Sequence, residues 1–189
     1  MAMTQEWQAL YLKDFLDVSD LKENPPEERK FIRYTHKGVE EYSDQQPEYG
    51  NVPNCFSRYN YPKYKQLYYQ CKSKVEEIMG EKLYPTYFYD RFYFNGSYLK
   101  PHIDRPSCEI SVSLNMSSNL KNNWPLFFEI NKELHAVNTD PGDAILYKGM
   151  DIPHWRQTLV ADDEEYYHQV FFHFVRADGH FLEYAFDRL

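Results

Sequence analysis

Cys108-Glu109-Ile110-Ser111-Val112-Ser113-Leu114-Asn115 alternates apolar and polar side chains without a break, the period of two that turns one face of a strand to a core and the other to polar surroundings. Seven more short runs rich in Tyr, Phe, Val and Ile flank it: Tyr87 to Phe94, Tyr98 to Asp104, Leu126 to Ile130, Glu133 to Asn138, Asp143 to Lys148, Pro153 to Val160 and Tyr166 to Arg176. Turn residues separate them, among them Asn95-Gly96-Ser97, Arg105-Pro106-Ser107 and Asp140-Pro141-Gly142. This pattern predicts a mainly β (α+β) fold, a sandwich or barrel. One helix precedes the strands. Tyr64, Leu67, Tyr68, Cys71, Val75, Ile78 and Met79 recur at helical spacing after Pro62 and before Gly80, so a helix over Lys63 to Met79 should lay its apolar stripe on a sheet. Residues 1–61 show no clean period and are expected to be irregular with short helices, packed on a 62–189 unit in one compact domain.

The whole chain has 189 residues, of which Tyr, Phe and Trp make up 18%, whereas Gly numbers only 7; an aromatic sheet core is favoured and a glycine-rich nucleotide cradle is not. Lys+Arg 21 against Asp+Glu 29 gives a net charge of -8 with no basic cluster, which argues against a nucleic-acid partner. The longest apolar runs, such as Val170-Phe171-Phe172, are far short of the roughly 20 residues of a membrane span. Three widely spaced cysteines and an N-terminus without a charged and apolar leader pattern point to a reducing cytoplasm. Gly-x-Ser-x-Gly, P-loop and Cys-x-x-Cys motifs are all missing, so hydrolase and nucleoside-triphosphate chemistry have no support.

His102 and Asp104 stand at i and i+2 at a strand's end, where both side chains project to one side. An imidazole and a carboxylate from one strand, joined by an imidazole from another, form the two-histidine, one-carboxylate set that holds non-haem Fe(II) with positions left open. With seven histidines, about half a His-x-Asp match is expected by chance, so the sequence that follows it decides. About fifty residues on, Pro141-Gly142-Asp143-Ala144-Ile145-Leu146-Tyr147 reads as a tight turn into a buried strand, and Asp151-Ile152-Pro153-His154-Trp155-Arg156 follows.

In this order of parts, the run from Tyr87 to Val175 resembles the 2-oxoglutarate and Fe(II)-dependent oxygenases, in particular the prolyl-hydroxylase-like branch and its small marine bacterial and phage versions. The matching parts are His102-Ile103-Asp104, Ser113-Leu114-Asn115, Gly142 to Leu146, His154 and the final strand from Tyr166 to Val175. The resemblance implies a double-stranded β-helix, a jelly-roll or cupin-like barrel with supporting N-terminal helices, in which His102, Asp104 and His154 bind iron and carry the catalysis. It also implies 2-oxoglutarate and O2 as co-substrates, release of succinate and CO2, and hydroxylation of an unactivated C–H bond of a protein residue or small molecule.

The family usually sets an Arg or Lys nine to fourteen residues beyond the distal histidine to meet the far carboxylate of 2-oxoglutarate. Here Asp163 to His168 hold no permanent cation. Arg156, two residues past His154 and hence on the same face, ranks first as its substitute because a guanidinium matches a carboxylate bidentately. His168 ranks second, an imidazole being only partly charged near neutrality. Tyr93 and Ser113 are candidate hydroxyl donors. His168 also stands as an alternative third metal ligand, with Arg176 then meeting the carboxylate. Two other functions stay open: a noncatalytic β-barrel binding module that keeps the scaffold, and a cupin-like metal enzyme that does not use 2-oxoglutarate. Substrate identity and oligomeric state leave no mark in the sequence.

Overall fold

The computed structural model describes residues 7–27, 31–42 and 52–187. Twelve strands and one helix follow in chain order: β1 (Ala9–Leu12), β2 (Phe31–Thr35), β3 (Gly38–Tyr42), β4 (Cys55–Tyr59), α1 (Lys65–Met79), β5 (Leu83–Tyr93), β6 (Leu99–His102), β7 (Ile110–Ser118), β8 (Leu126–Ile130), β9 (Glu133–Val137), β10 (Ala144–Tyr147), β11 (His154–Arg156) and β12 (Tyr167–Arg176). They form a large sheet, β1-β10-β7-β12-β5-β4-β2-β3, and a small one, β6-β11-β8-β9. All pairings are antiparallel except β2 with β4. The fold is a double-stranded β-helix, as the family resemblance implied, and each of the eight runs from Tyr87 onward contains or overlaps an observed strand.

Strand parity divides the large sheet into two unlike faces. Phe88, Val112, Leu114, Leu146, Val170, Phe172 and Phe174 point to one side, where Leu67, Tyr68, Cys71 and Val75 of α1 cover them and form the main core. The helix ends where the sequence says it should, with Gly80 in the left-handed region at φ 71, a conformation that glycine takes without strain. Tyr68 ties helix to sheet, its buried hydroxyl donating to the His173 carbonyl at 2.6 Å and accepting from the Thr86 N–H at 2.9 Å. The opposite face looks into the barrel.

The expectation of short helices in residues 1–61 is corrected. The described part of that region contributes β1 to β4 to the large sheet, and its helical content before Pro62 is one short 3-10 turn, Ser19–Leu21. Ala9-Leu10-Tyr11-Leu12 becomes a strand because the open edge of β10 pairs with it, Ala9 opposite Tyr147; such a tertiary partner overrides local pattern. Asp143, in the turn before β10, holds this strand down, accepting from the Tyr11 hydroxyl, from Asp14 N at 2.8 Å and from Asp140 N at 3.0 Å. No helix among the described residues is long and apolar enough to cross a membrane.

Candidate metal centre

β6 ends on His102, and Asp104 follows in a loop pinned where its N–H donates to the Gly149 carbonyl at 2.9 Å. β11 begins at His154, paired directly with His102. Register, not chain proximity, therefore sets the two imidazoles side by side, ring centres 4.3 Å apart. Each Nδ1 faces a backbone carbonyl, Lys100 O at 2.9 Å for His102 and Ile152 O at 3.0 Å for His154. A carbonyl only accepts, so each Nδ1 carries the proton and each Nε2 presents its lone pair. Both Nε2 atoms lie 3.6 Å from Asp104 Oδ1, while Oδ2 is held by the Ser111 hydroxyl at 3.2 Å. All three donors fall within 4.8 Å of one another. Two imidazole nitrogens and one carboxylate oxygen on a common point, with outer partners fixing their orientation, fit a divalent first-row ion.

The electrostatics agree. Burial would raise the Asp104 carboxyl, but the imidazoles of His102, His154 and His173 outweigh it and hold the group below the ordinary carboxylate range. His154, 3% exposed, is pushed down by burial against the pull of Asp104. Burial also acts on His102, yet the neighbouring Asp104 carboxylate prevails and raises it. An anionic carboxylate beside a neutral, buried imidazole is the protonation state in which metal ligands bind.

The centre opens on a cavity of about 400 Å³ between the two sheets. Arg156 and Tyr93 both line it. Arg156 is 3% exposed; it donates to the Trp124 carbonyl, and to Gln169 Oε1 at 3.1 Å. The buried Tyr93 hydroxyl has no hydrogen-bond partner. Ser113 is taken up by Gln169, whose amide donates to its hydroxyl.

His168 is not in the cavity, and both roles considered for it are corrected. It lies on the helix-facing side of β12, fully buried, with Nε2 2.9 Å from Asp90 Oδ2 and its ring stacked on Phe92 at 3.7 Å. Asp90 is in turn bonded by Arg58, which also pairs with Glu23. Parity explains the placement: Tyr167, Gln169, Phe171 and His173 are turned inward on β12, opposite Tyr93, Arg91, Tyr89 and Tyr87 of β5. Arg176 is likewise removed from the site, paired with Glu109 and Glu81.

Arg91 and His173 also line the cavity, the first without a role read from the sequence and the second read there only as a hydrogen-bonded core or interface histidine. Tyr87, Tyr89, Arg91 and Tyr93 occupy one face of β5, so the period of two already placed a guanidinium among three phenols. His173 takes Ser111 Oγ at 2.9 Å through Nδ1 and leaves Nε2 buried without a partner; burial lowers its pKa to about 4, so it is neutral.

Many solved structures that resemble this chain are 2-oxoglutarate and Fe(II)-dependent oxygenases, which share the double-stranded β-helix. HygX from Streptomyces hygroscopicus, with nickel and 2-oxoglutarate bound, superposes with a TM-score of 0.60 at 10% identity, over 91% of this chain and 87% of its own. A prolyl hydroxylase from Trichoplax adhaerens, in complex with a hypoxia inducible factor peptide fragment, gives 0.60 at 12% identity, covering 88% and 83%. A Pseudomonas putida prolyl-4-hydroxylase gives 0.55 at 13%, covering 88% and 92%. Likeness at such identities establishes the shared fold. No protein-family model and no curated protein matches the sequence.

Proposed function

We propose that the protein is an Fe(II)- and 2-oxoglutarate-dependent oxygenase that hydroxylates an unactivated C–H bond of a small molecule or protein residue, releasing succinate and CO2. The observation that carries this reading is the convergence of His102 Nε2, His154 Nε2 and Asp104 Oδ1 at the mouth of a barrel whose fold the oxygenases share. His102, Asp104 and His154 would hold the iron, which when bound supplies the oxidation of the C–H bond at the expense of O2 and 2-oxoglutarate.

The chain's own residues supply position and environment. The backbone carbonyls of Lys100 and Ile152 keep both imidazoles in the ligating tautomer, and Ser111 engages Asp104 Oδ2, leaving Oδ1 toward the two imidazoles. Arg156 and the unpartnered Tyr93 hydroxyl are the pair we assign to the far carboxylate of 2-oxoglutarate: a buried guanidinium whose partners are all neutral has charge to offer. Leu126, Tyr147 and Phe171 exclude water from the wall around them. The three described cysteines are unpaired, consistent with the cytoplasm as the setting we infer.

The test is anaerobic addition of Fe(II) and then 2-oxoglutarate, followed by visible absorption. A metal-to-ligand charge-transfer band is expected, lost in His102→Ala; Arg156→Met should retain metal binding and lose 2-oxoglutarate affinity. If no band forms and His102→Ala binds metal as the parent does, the proposal fails. Metal uptake indifferent to 2-oxoglutarate would favour the cupin-like alternative.

A further inference from the structure

The chain carries a net charge of -8, yet its cavity is lined by Arg91, Lys100, Arg105 and Arg156, and Asp104 is the one carboxylate among the described lining residues. Lys100 is exposed at the rim, and Arg105 is paired with Asp187 at 2.7 Å. Arg156 is assigned above to the co-substrate. Arg91 is left over. It is 5% exposed on the inward face of β5, and its Nε donates to Ser57 Oγ at 2.8 Å. That bond leaves the Nη1 and Nη2 edge, the end of the fork, without a carboxylate among the described residues. A buried guanidinium with no anion is costly to keep, and in a cavity the missing anion is a ligand group.

Charge balance gives the same answer. A dication on His102, Asp104 and His154, a doubly charged 2-oxoglutarate and the two buried arginines together retain one uncompensated positive charge, which a monoanionic substrate would neutralise. The wall beside Arg91 is aromatic: its guanidinium carbon lies 5.3 Å from the Tyr89 ring centre, and Tyr89 stacks on Tyr59 at 4.9 Å and on Phe171 at 4.6 Å. A cavity of about 400 Å³ is of small-molecule size.

We infer that Arg91 is a substrate-docking residue, and that the primary substrate is a small carboxylate with an apolar or aromatic body whose carboxylate meets the Nη1/Nη2 edge. The inference rests on the proposed function in giving Arg156 to 2-oxoglutarate.

The experiment is isothermal titration of the protein loaded with Ni(II) and 2-oxoglutarate, using benzoate and its neutral isostere benzamide as probes. Benzoate should bind at least about tenfold more tightly, a difference of roughly 1.4 kcal/mol. Arg91→Met and Arg91→Gln should erase the preference while leaving 2-oxoglutarate affinity within about threefold, and Arg91→Lys should retain part of it. Equal binding of the two probes, or absence of benzoate binding, overturns the inference. Loss of 2-oxoglutarate affinity in Arg91→Met overturns it too, since Arg91 would then be the co-substrate's cation. Phenyl phosphate binding tenfold more tightly than benzoate overturns the carboxylate assignment in favour of a phosphate. If the protein takes up neither Ni(II) nor 2-oxoglutarate, the proposed function has failed by itself. The same titrations of the metal-free protein then decide the docking site, a preference lost in Arg91→Met upholding it and equal binding overturning it.

Discussion

Gly149 is the position where one methyl group should disable the proposed metal centre. A Cβ built there lies 2.2 Å from Asp104 Oδ2, 2.7 Å from the Cys108 carbonyl oxygen and 2.9 Å from Asp104 Cγ, whereas ordinary contact begins at 3.4 Å. The carboxylate would have to retreat by about 1.2 Å. It cannot do so freely, because its own N–H is bonded to the Gly149 carbonyl and its Oδ2 to Ser111. Ligating groups need placement within about 0.5 Å, and disturbing what orients a ligand lowers metal affinity about 10- to 100-fold. We expect Gly149→Ala to weaken Ni(II) or Fe(II) binding by that factor in an anaerobic titration. Overpacking against the Cys108 carbonyl should cost about 1–3 kcal/mol of stability, read by urea denaturation of the metal-free protein. Gly149→Ala binding metal with the parent's affinity would refute the close approach and with it the claim that Asp104 is held in ligating position by this loop.

Two further outcomes follow from residues away from the centre. His168→Ala should leave metal affinity unchanged and destabilise the protein by about 1–3 kcal/mol, since Asp90 loses a donor and Phe92 its stacking partner; metal affinity falling with it would restore His168 as a ligand. Asp143 should make stability acid-sensitive: burial would raise its carboxyl, but the donors Tyr11, Asp14 and Asp140 hold it below the ordinary range, and the same bond pushes the Tyr11 phenol up to about 12. Its contribution is thus full above the unfolded carboxyl value of about 3.9 and is lost as pH falls through the lower folded value. Asp143→Asn should cost about 1.5–3 kcal/mol at pH 7 and flatten the decline in urea midpoint on acidification; an unchanged decline would show that Asp143 is not its source.

The barrel was legible in the sequence because its large sheet has unlike faces. Ile110, Val112 and Leu114 belong to the core that α1 covers while Ser111 and Ser113 do not, and a period of two records that difference directly. The pairing of His102 with His154 left only an indirect trace, the order of parts around them, since the register that joins β6 to β11 is a long-range property. Parity decided the errors as well. His168 lies near the expected position of a cation along the chain but on the wrong side of β12, next to a register shift between His168 and Gln169 that local sequence does not reveal. Arg91 was in plain view at an inward position of β5, obscured by the tyrosines that share its face. β2 and β3 form a local hairpin that the sequence reading missed, whereas β1 and β4 were illegible because their strand state is imposed by partners far along the chain.

That last dependence bears on synthesis. Ala9 finds its place only against Tyr147, so at roughly 5–20 residues per second a ribosome releases the first strand on the order of 10 s before its neighbour is made. Through that interval the leading segment and its apolar Leu10 and Leu12 have no sheet to join, and β10 in turn presents a bare edge in any chain that has lost its beginning. The β1–β10 edge of this barrel is therefore closed only once the chain through Tyr147 is made, and β10 depends for its cover on residues synthesised more than a hundred positions earlier.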